Sequence, residues 1–167
     1  MRNTINAMTR MLLAGFIVLF AVLPAQAEEY DALKGLKSIK TVFDVRVGAP
    51  KSAAVYLDLI LQTYRDGNIR GVTGQPEFAV VFIGPAVKLI STDTKGFPPE
   101  NQEHIANIAR IVTEMAREGF KLEICGYAAR LLGVDPATIL PEIKQVENGW
   151  ISLIGYQAQG YALVPAY

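Results

Sequence analysis

The chain has 167 residues, 16 basic against 16 acidic side chains, one histidine and one cysteine. Balanced charge gives no handle for nucleic acid or an anionic membrane surface. A single cysteine excludes an internal disulfide, and two Cys/His side chains fall short of the roughly four ligands of a structural zinc site.

The amino terminus reads as a secretory signal: Arg2 and Arg10 are basic, Met11 to Leu23 is an almost unbroken apolar run, and Ala25-Gln26-Ala27 precedes the acidic pair Glu28-Glu29. The run is shorter than the about 20 apolar residues of a membrane span, no basic cluster follows it, and no cysteine stands at the cleavage point for a lipid anchor. The expectation is a leader over residues 1–27 and one mature domain over 28–167, periplasmic, with no membrane association after cleavage. Loss of Arg2 and Arg10 leaves 14 basic against 16 acidic side chains, a formal charge of −2.

Residues 28–40 form a polar, Lys-rich lead-in. Thr41 to Val47 alternates and is rich in β-branched residues, which predicts a strand. Ala53, Leu57, Ile60, Leu61 and Tyr64 recur at helical spacing, with Asp66-Gly67 as a left-handed stop and a loop from Asn68 to Pro76. The continuous apolar run inside Glu77 to Ile83 predicts a strand covered on both faces, in the middle of a sheet. A short helix to Ile90 and a loop over 91–98 precede a helix opened by Pro99, whose buried stripe is Ile105, Ile108, Ile111, Val112 and Met115. Leu122 to Cys125 is a strand, Gly126 a turn, and Tyr127 to Leu132 a helix ended by Gly133. Asp135-Pro136 opens a short helix to about Leu140. Ile143 to Val146 is a strand, Asn148-Gly149 a turn, Trp150 to Gln159 a last helix, and Tyr161 to Val164 a terminal strand. Alternation of strands and helices predicts a three-layer α/β/α fold with a mainly parallel central sheet.

Chemistry centres on Cys125, at a strand's carboxyl end against a helix amino terminus. That edge is where ligands bind in open α/β sheets, and the helix dipole favours a thiolate there. Gly126 and Tyr127, whose amides would face the sulfur, complete the candidate site. Glu123, two residues earlier on the same strand face, opposes a thiolate, and Lys121 or Arg130 would offset it. His104 lies among polar residues of a helix start and reads as a solvated surface histidine, so no Cys-His pair is expected. Gly84-Pro85 follows a strand but lacks the Gly-x-Gly-x-x-Gly and Gly-Lys-Ser/Thr patterns, so it reads as a tight turn, with Lys88 beyond it as a weaker ligand candidate.

Three stretches carry a resemblance: Val-Val-Phe-Ile-Gly-Pro-Ala-Val-Lys-Leu-Ile from Val80, Glu-Ile-Cys-Gly-Tyr-Ala-Ala-Arg-Leu-Leu-Gly-Val from Glu123, and Asn-Gly-Trp-Ile-Ser-Leu-Ile-Gly-Tyr-Gln-Ala-Gln-Gly-Tyr-Ala-Leu-Val from Asn148. In these the chain resembles the DsrE/DsrF-like sulfur relay proteins, in particular exported single-domain members. The resemblance implies homo- or hetero-oligomers and a thiol, at the position of Cys125, that accepts sulfane sulfur as a persulfide and passes it to an acceptor, without metal or organic cofactor. The expected partners are further copies of the chain and a sulfur donor or acceptor protein. The alternative is a non-catalytic small-ligand-binding or assembly protein in which Cys125 is structural; a redox thiol that forms an intermolecular disulfide is a third reading.

Overall fold

Glu77–Phe82 (β2) is the middle strand of five in the computed structural model, which describes residues 30–167. Lys40–Val45 (β1), Lys121–Cys125 (β3), Lys144–Val146 (β4) and Ala162–Ala166 (β5) flank it in the order β4-β3-β2-β1-β5, every neighbouring pair parallel. The expected leader, with its cleavage after Ala27, lies outside the described residues. Among those described, no helix is long and apolar enough to cross a membrane.

Strand periodicity divides the side chains between two faces. Phe78 and Phe120 meet each other and Tyr64 of helix α1 (Pro50–Arg65), and Phe43 packs on Phe78, with ring centroids 4.6–5.6 Å apart. Helix α3 (Gln102–Arg117) packs beside α1 on this face and buries the stripe expected of it, Ile105, Ile108, Ile111, Val112 and Met115. The Tyr64 hydroxyl donates to the Glu118 carbonyl at 2.8 Å and ties the end of α1 to the end of α3. Helix α4 (Gly126–Leu131) packs on the 3₁₀ segment Gly84–Ile90, which packs on α3, so α4 lies on the same side. Helix α5 (Gly149–Ala158) alone covers the other face.

The expected loop after α1 is instead a short helix, α2 (Gly67–Thr73), and Gly67 is its first residue rather than a left-handed stop. Its two glycines disfavour a helix by about 1 kcal/mol each relative to alanine. Tertiary bonds override them. The Asp66 carboxylate accepts the Asn68 N–H at 2.8 Å, and Arg70 donates to the carbonyls of Tyr64 (3.1 Å) and Gly74 (2.9 Å) while its guanidinium lies 4.5 Å from the Tyr64 ring centroid. A second correction concerns Asn148-Gly149, which is no free turn: the Asn148 side chain caps α5 by accepting the Trp150 N–H at 3.0 Å, and Gly149 is already helical. The helix expected to reach Leu140 is one 3₁₀ turn, Pro136–Thr138.

Candidate functional site

Cys125 is the last residue of β3 and pairs with Val146, the last residue of β4. From these two strand ends the chain departs to opposite sides of the sheet, into α4 after β3 and into α5 after β4. A point where adjacent crossovers diverge in this way is the ligand-binding crevice of open α/β sheets.

Here the crevice is drawn shut by backbone contacts. The Tyr127 N–H donates to the Glu147 carbonyl at 3.0 Å. This corrects the expectation that its amide faces the sulfur: the donor is consumed in tying α4 to the loop before α5. A Cβ on Gly126 would sit 3.0 Å from the Val146 carbonyl oxygen, so glycine permits that close approach. A Cβ on Gly149 would lie 3.0 Å from Cys125 Cβ and 3.0 Å from Cγ1 and Cδ1 of Ile83. The first residue of α5 therefore packs directly on the cysteine, which is 4 % exposed.

Arg130 and Glu147 form an ion pair across the same crevice, with Nη1 to Oε2 at 3.1 Å. Of the two cations weighed from sequence, Arg130 is the one beside Cys125, with Nη1 3.5 Å from a Cβ placed on Gly126. Lys121 is engaged at the far end of β3 by Tyr161 and by Glu77 at 3.3 Å. The pKa of Arg130 is raised, chiefly by its hydrogen bond to Glu147, and the Cys125 charge acts in the same direction. Arg46, just past β1 on the Cys125 side of the sheet, is raised chiefly by its bond to the buried Asp44 carboxylate and again in part by Cys125. Two guanidinium groups are thus within electrostatic reach of the sulfur.

Glu123 is buried on the same face, as its spacing from Cys125 dictates. The Tyr156 hydroxyl of α5 donates to its Oε1 at 3.1 Å, and Oε2 has no partner among the described residues. Burial, and then the Glu123 charge, push the Tyr156 phenol well above its ordinary range, so it stays a donor.

Cys125, Gly126 and Tyr127 are contiguous, with the Tyr127 ring exposed, whereas Lys88 is elsewhere. It lines a separate cavity of about 390 Å³ with Ser91, Asp93, Asp135 and Thr138. His104, in the first turn of α3, is half-buried rather than fully solvated. Sequence reasoning missed Gly149 and Arg46. The capping asparagine ahead of an apolar run was the available sign of the first; register along β1 was the only sign of the second.

The DsrE/DsrF-like family profile matches residues 40–165. A relative from Aquifex aeolicus, described only as an uncharacterized protein, is 24 % identical over 127 residues, covering 76 % of this chain and 56 % of its own length. The chain thus spans little more than half of that relative. A protein of unknown function, MTH1491, from Methanobacterium thermoautotrophicum superposes with a TM-score of 0.60 at 16 % identity, over 77 % of this chain and 99 % of that one. The ychN protein from E. coli superposes with a TM-score of 0.56 at 13 % identity, over 76 % and 99 %. Both likenesses concern the fold.

Proposed function

The chain belongs to the DsrE/DsrF-like family, and from that premise we propose that it is an exported sulfur carrier whose Cys125 takes up sulfane sulfur as a persulfide. The observation that carries the reading is the position of the cysteine at the divergence of the β3 and β4 crossovers, with Arg46 on its side of the sheet and Arg130 at the mouth of the crevice. In the step proposed, the Cys125 thiolate attacks the outer sulfur of a donor persulfide. An S–S bond forms on Cys125 as the donor's S–S bond breaks, and the donor leaves as a thiolate. Attack by an acceptor thiolate on the outer sulfur reverses the exchange. Nothing is oxidised overall and no cofactor is needed. Because Cys125 is buried, the first turn of α5 or of α4 must lift for the donor to reach it.

Self-association is part of the proposal. Trp150, Ile151 and Ile154 on α5 and Tyr127 and Leu131 on α4 are 61–73 % exposed, an apolar surface around the candidate site. Of the aromatic residues in the terminal segment, Trp150 and Tyr167 are free to contribute, while Tyr156 and Tyr161 are buried in the domain.

The experiment is incubation of the folded protein with inorganic polysulfide, followed by mass spectrometry of the peptide that carries Cys125. One added sulfur atom, absent in Cys125→Ser, supports the proposal. Burial of the cysteine favours a second reading, a structural thiol in a non-catalytic protein. That reading prevails if Cys125 resists both polysulfide and iodoacetamide until the protein is unfolded. Sedimentation at micromolar concentration tests association, with Ile154→Lys expected to shift the protein towards monomer.

A further inference from the structure

The sheet face opposite Cys125 is not fully covered. Tyr64 of α1 packs on Phe78 of β2, whereas β5 is the edge strand and its Val164 is 39 % exposed, and α5, the helix that leads into it, is on the other side. A cavity of about 500 Å³ lies between α1 and β5. Its walls include Phe43, Phe78, Ile60, Val164 and Ala166, with Tyr56 and Leu59 at an exposed rim. The cleft is open to solvent at its rim, and its volume falls within the about 300–1,000 Å³ of small-molecule sites.

Of the polar side chains at this cavity, Tyr56 at the rim is open to water and one buried side chain is unspent. Thr41 on β1 is 8 % exposed and lines the cavity, and its hydroxyl has no hydrogen-bonding partner among the described residues. Thr63, by contrast, spends its hydroxyl on the Leu59 carbonyl at 2.8 Å. No Asp, Glu, Lys, Arg or His side chain lines the space. A charged ligand would be desolvated there without compensation, so the lining selects against ions.

We propose that this cavity binds an uncharged, mainly aromatic or hydrocarbon small molecule through apolar contact and one hydrogen bond to Thr41. The site is independent of Cys125, which faces the other side of the sheet.

N-phenyl-1-naphthylamine is a suitable probe: it is uncharged, has two aromatic ring systems and a single N–H, and fluoresces when it leaves water. Titration of the folded protein should give saturable binding of one probe per chain. Thr41→Val, which keeps shape and removes the hydroxyl, should weaken it about two- to tenfold. Ala166→Phe, which fills the cavity from β5, should abolish it with circular dichroism unchanged. Val164→Trp on the same edge strand serves if that variant fails to fold. Ile154→Lys, on the opposite face, should leave the affinity within about twofold, since sites this far apart act independently. The proposal is overturned if binding does not saturate, if neither filling variant reduces it, or if Ile154→Lys removes it, which would place the probe on the exposed α5 surface. It is also overturned if the cavity is occupied by a second copy, seen as loss of probe binding on self-association measured by sedimentation.

Discussion

Gly149→Ala tests whether α5 seals the cysteine. Gly149 is the first residue of α5 and is not among the positive-φ glycines, so alanine meets no backbone strain. Considered alone, the change would stabilise by about 0.4–1 kcal/mol, through helix propensity and a less flexible unfolded chain. Against this stands the new methyl, 3.0 Å from Cys125 Cβ and from two carbons of Ile83. Cβ of Cys125 is fixed by its strand and Ile83 is 6 % exposed, so neither neighbour yields freely. Overpacking of this kind costs about 1–3 kcal/mol. The net expectation is a loss of about 0.5–2 kcal/mol, a fall in Tm of about 2–8 °C for a domain of this size. The strain can be relieved by lifting the first turn of α5, which exposes the thiol. Iodoacetamide should therefore label Cys125 in the folded variant faster than in the native protein. In an Ile83→Ala background, which removes both Ile83 contacts, the penalty should shrink. A Gly149→Ala variant as stable as the native protein, or more so, with unchanged labelling would refute the packing of α5 on Cys125 and the access route built on it.

Glu123→Gln keeps the acceptor for Tyr156 and removes a buried charge with an unpartnered oxygen, so chemical denaturation at neutral pH should show a gain of about 1 kcal/mol. The same substitution should speed sulfur uptake by Cys125, because a negative charge leaves the face on which the thiolate forms. Tyr156→Phe removes the partner of a buried carboxylate and should destabilise by about 1–3 kcal/mol in the same assay. Glu77 is held down to about 2, first by its hydrogen bond to Lys40 and then by Tyr161 and Lys121. Since its folded pKa lies below the unfolded value of about 4.3, its contribution is complete above that pH and is lost as pH falls towards 2. Its side chain is 45 % exposed, so screening keeps the effect below about 1 kcal/mol, and Glu77→Gln should flatten the acid limb of the stability profile by that amount.

What sequence could reveal follows from how local each signal is. The α3 stripe and the central place of β2 are periodicities of single segments, and both stand in the structure. Cys125 at a strand end before a helix is equally local. Helix α2 was hidden because its glycines argue against a helix and Arg70, which holds it, works through Tyr64 and Glu118 on other elements. Asn148-Gly149 fits a turn or a cap, and only α5 docking on β3 decides between them. The Tyr127 amide was misassigned because its acceptor, Glu147, is twenty residues away and reaches it only through the pairing of β3 with β4. Lys88 follows the central strand in sequence, yet the 3₁₀ turn carries it to a different cavity.

The two sheet faces differ in how much polar surface they bury. Toward α1 and α3 the strands present Phe43, Val45, Phe78, Val80, Phe82, Leu122 and Ile124, all buried and apolar, with Thr41 the buried polar exception. Toward α5 they present the buried apolar Val42, Ala79, Val81 and Ile83 together with Lys40, Asp44, Arg46, Glu77, Lys121, Glu123 and Cys125, a mixed surface whose polar groups are tied by ion pairs and by the tyrosines around α5. The helix above this face carries no charged residue; it buries Leu153 and Tyr156 inward and turns Trp150, Ile151 and Ile154 outward. That departs from the usual arrangement of a surface helix, whose outer face is charged. An amphipathic helix such as α3 would serve if the layer ended at water. A helix with apolar side chains on both its inner and outer faces is matched to a further apolar layer, which the proposed self-association would supply without any change in the fold. The same layer would border Cys125 through Tyr127 and Leu131, so that access to the thiol and the state of assembly would be coupled through the first turn of α5.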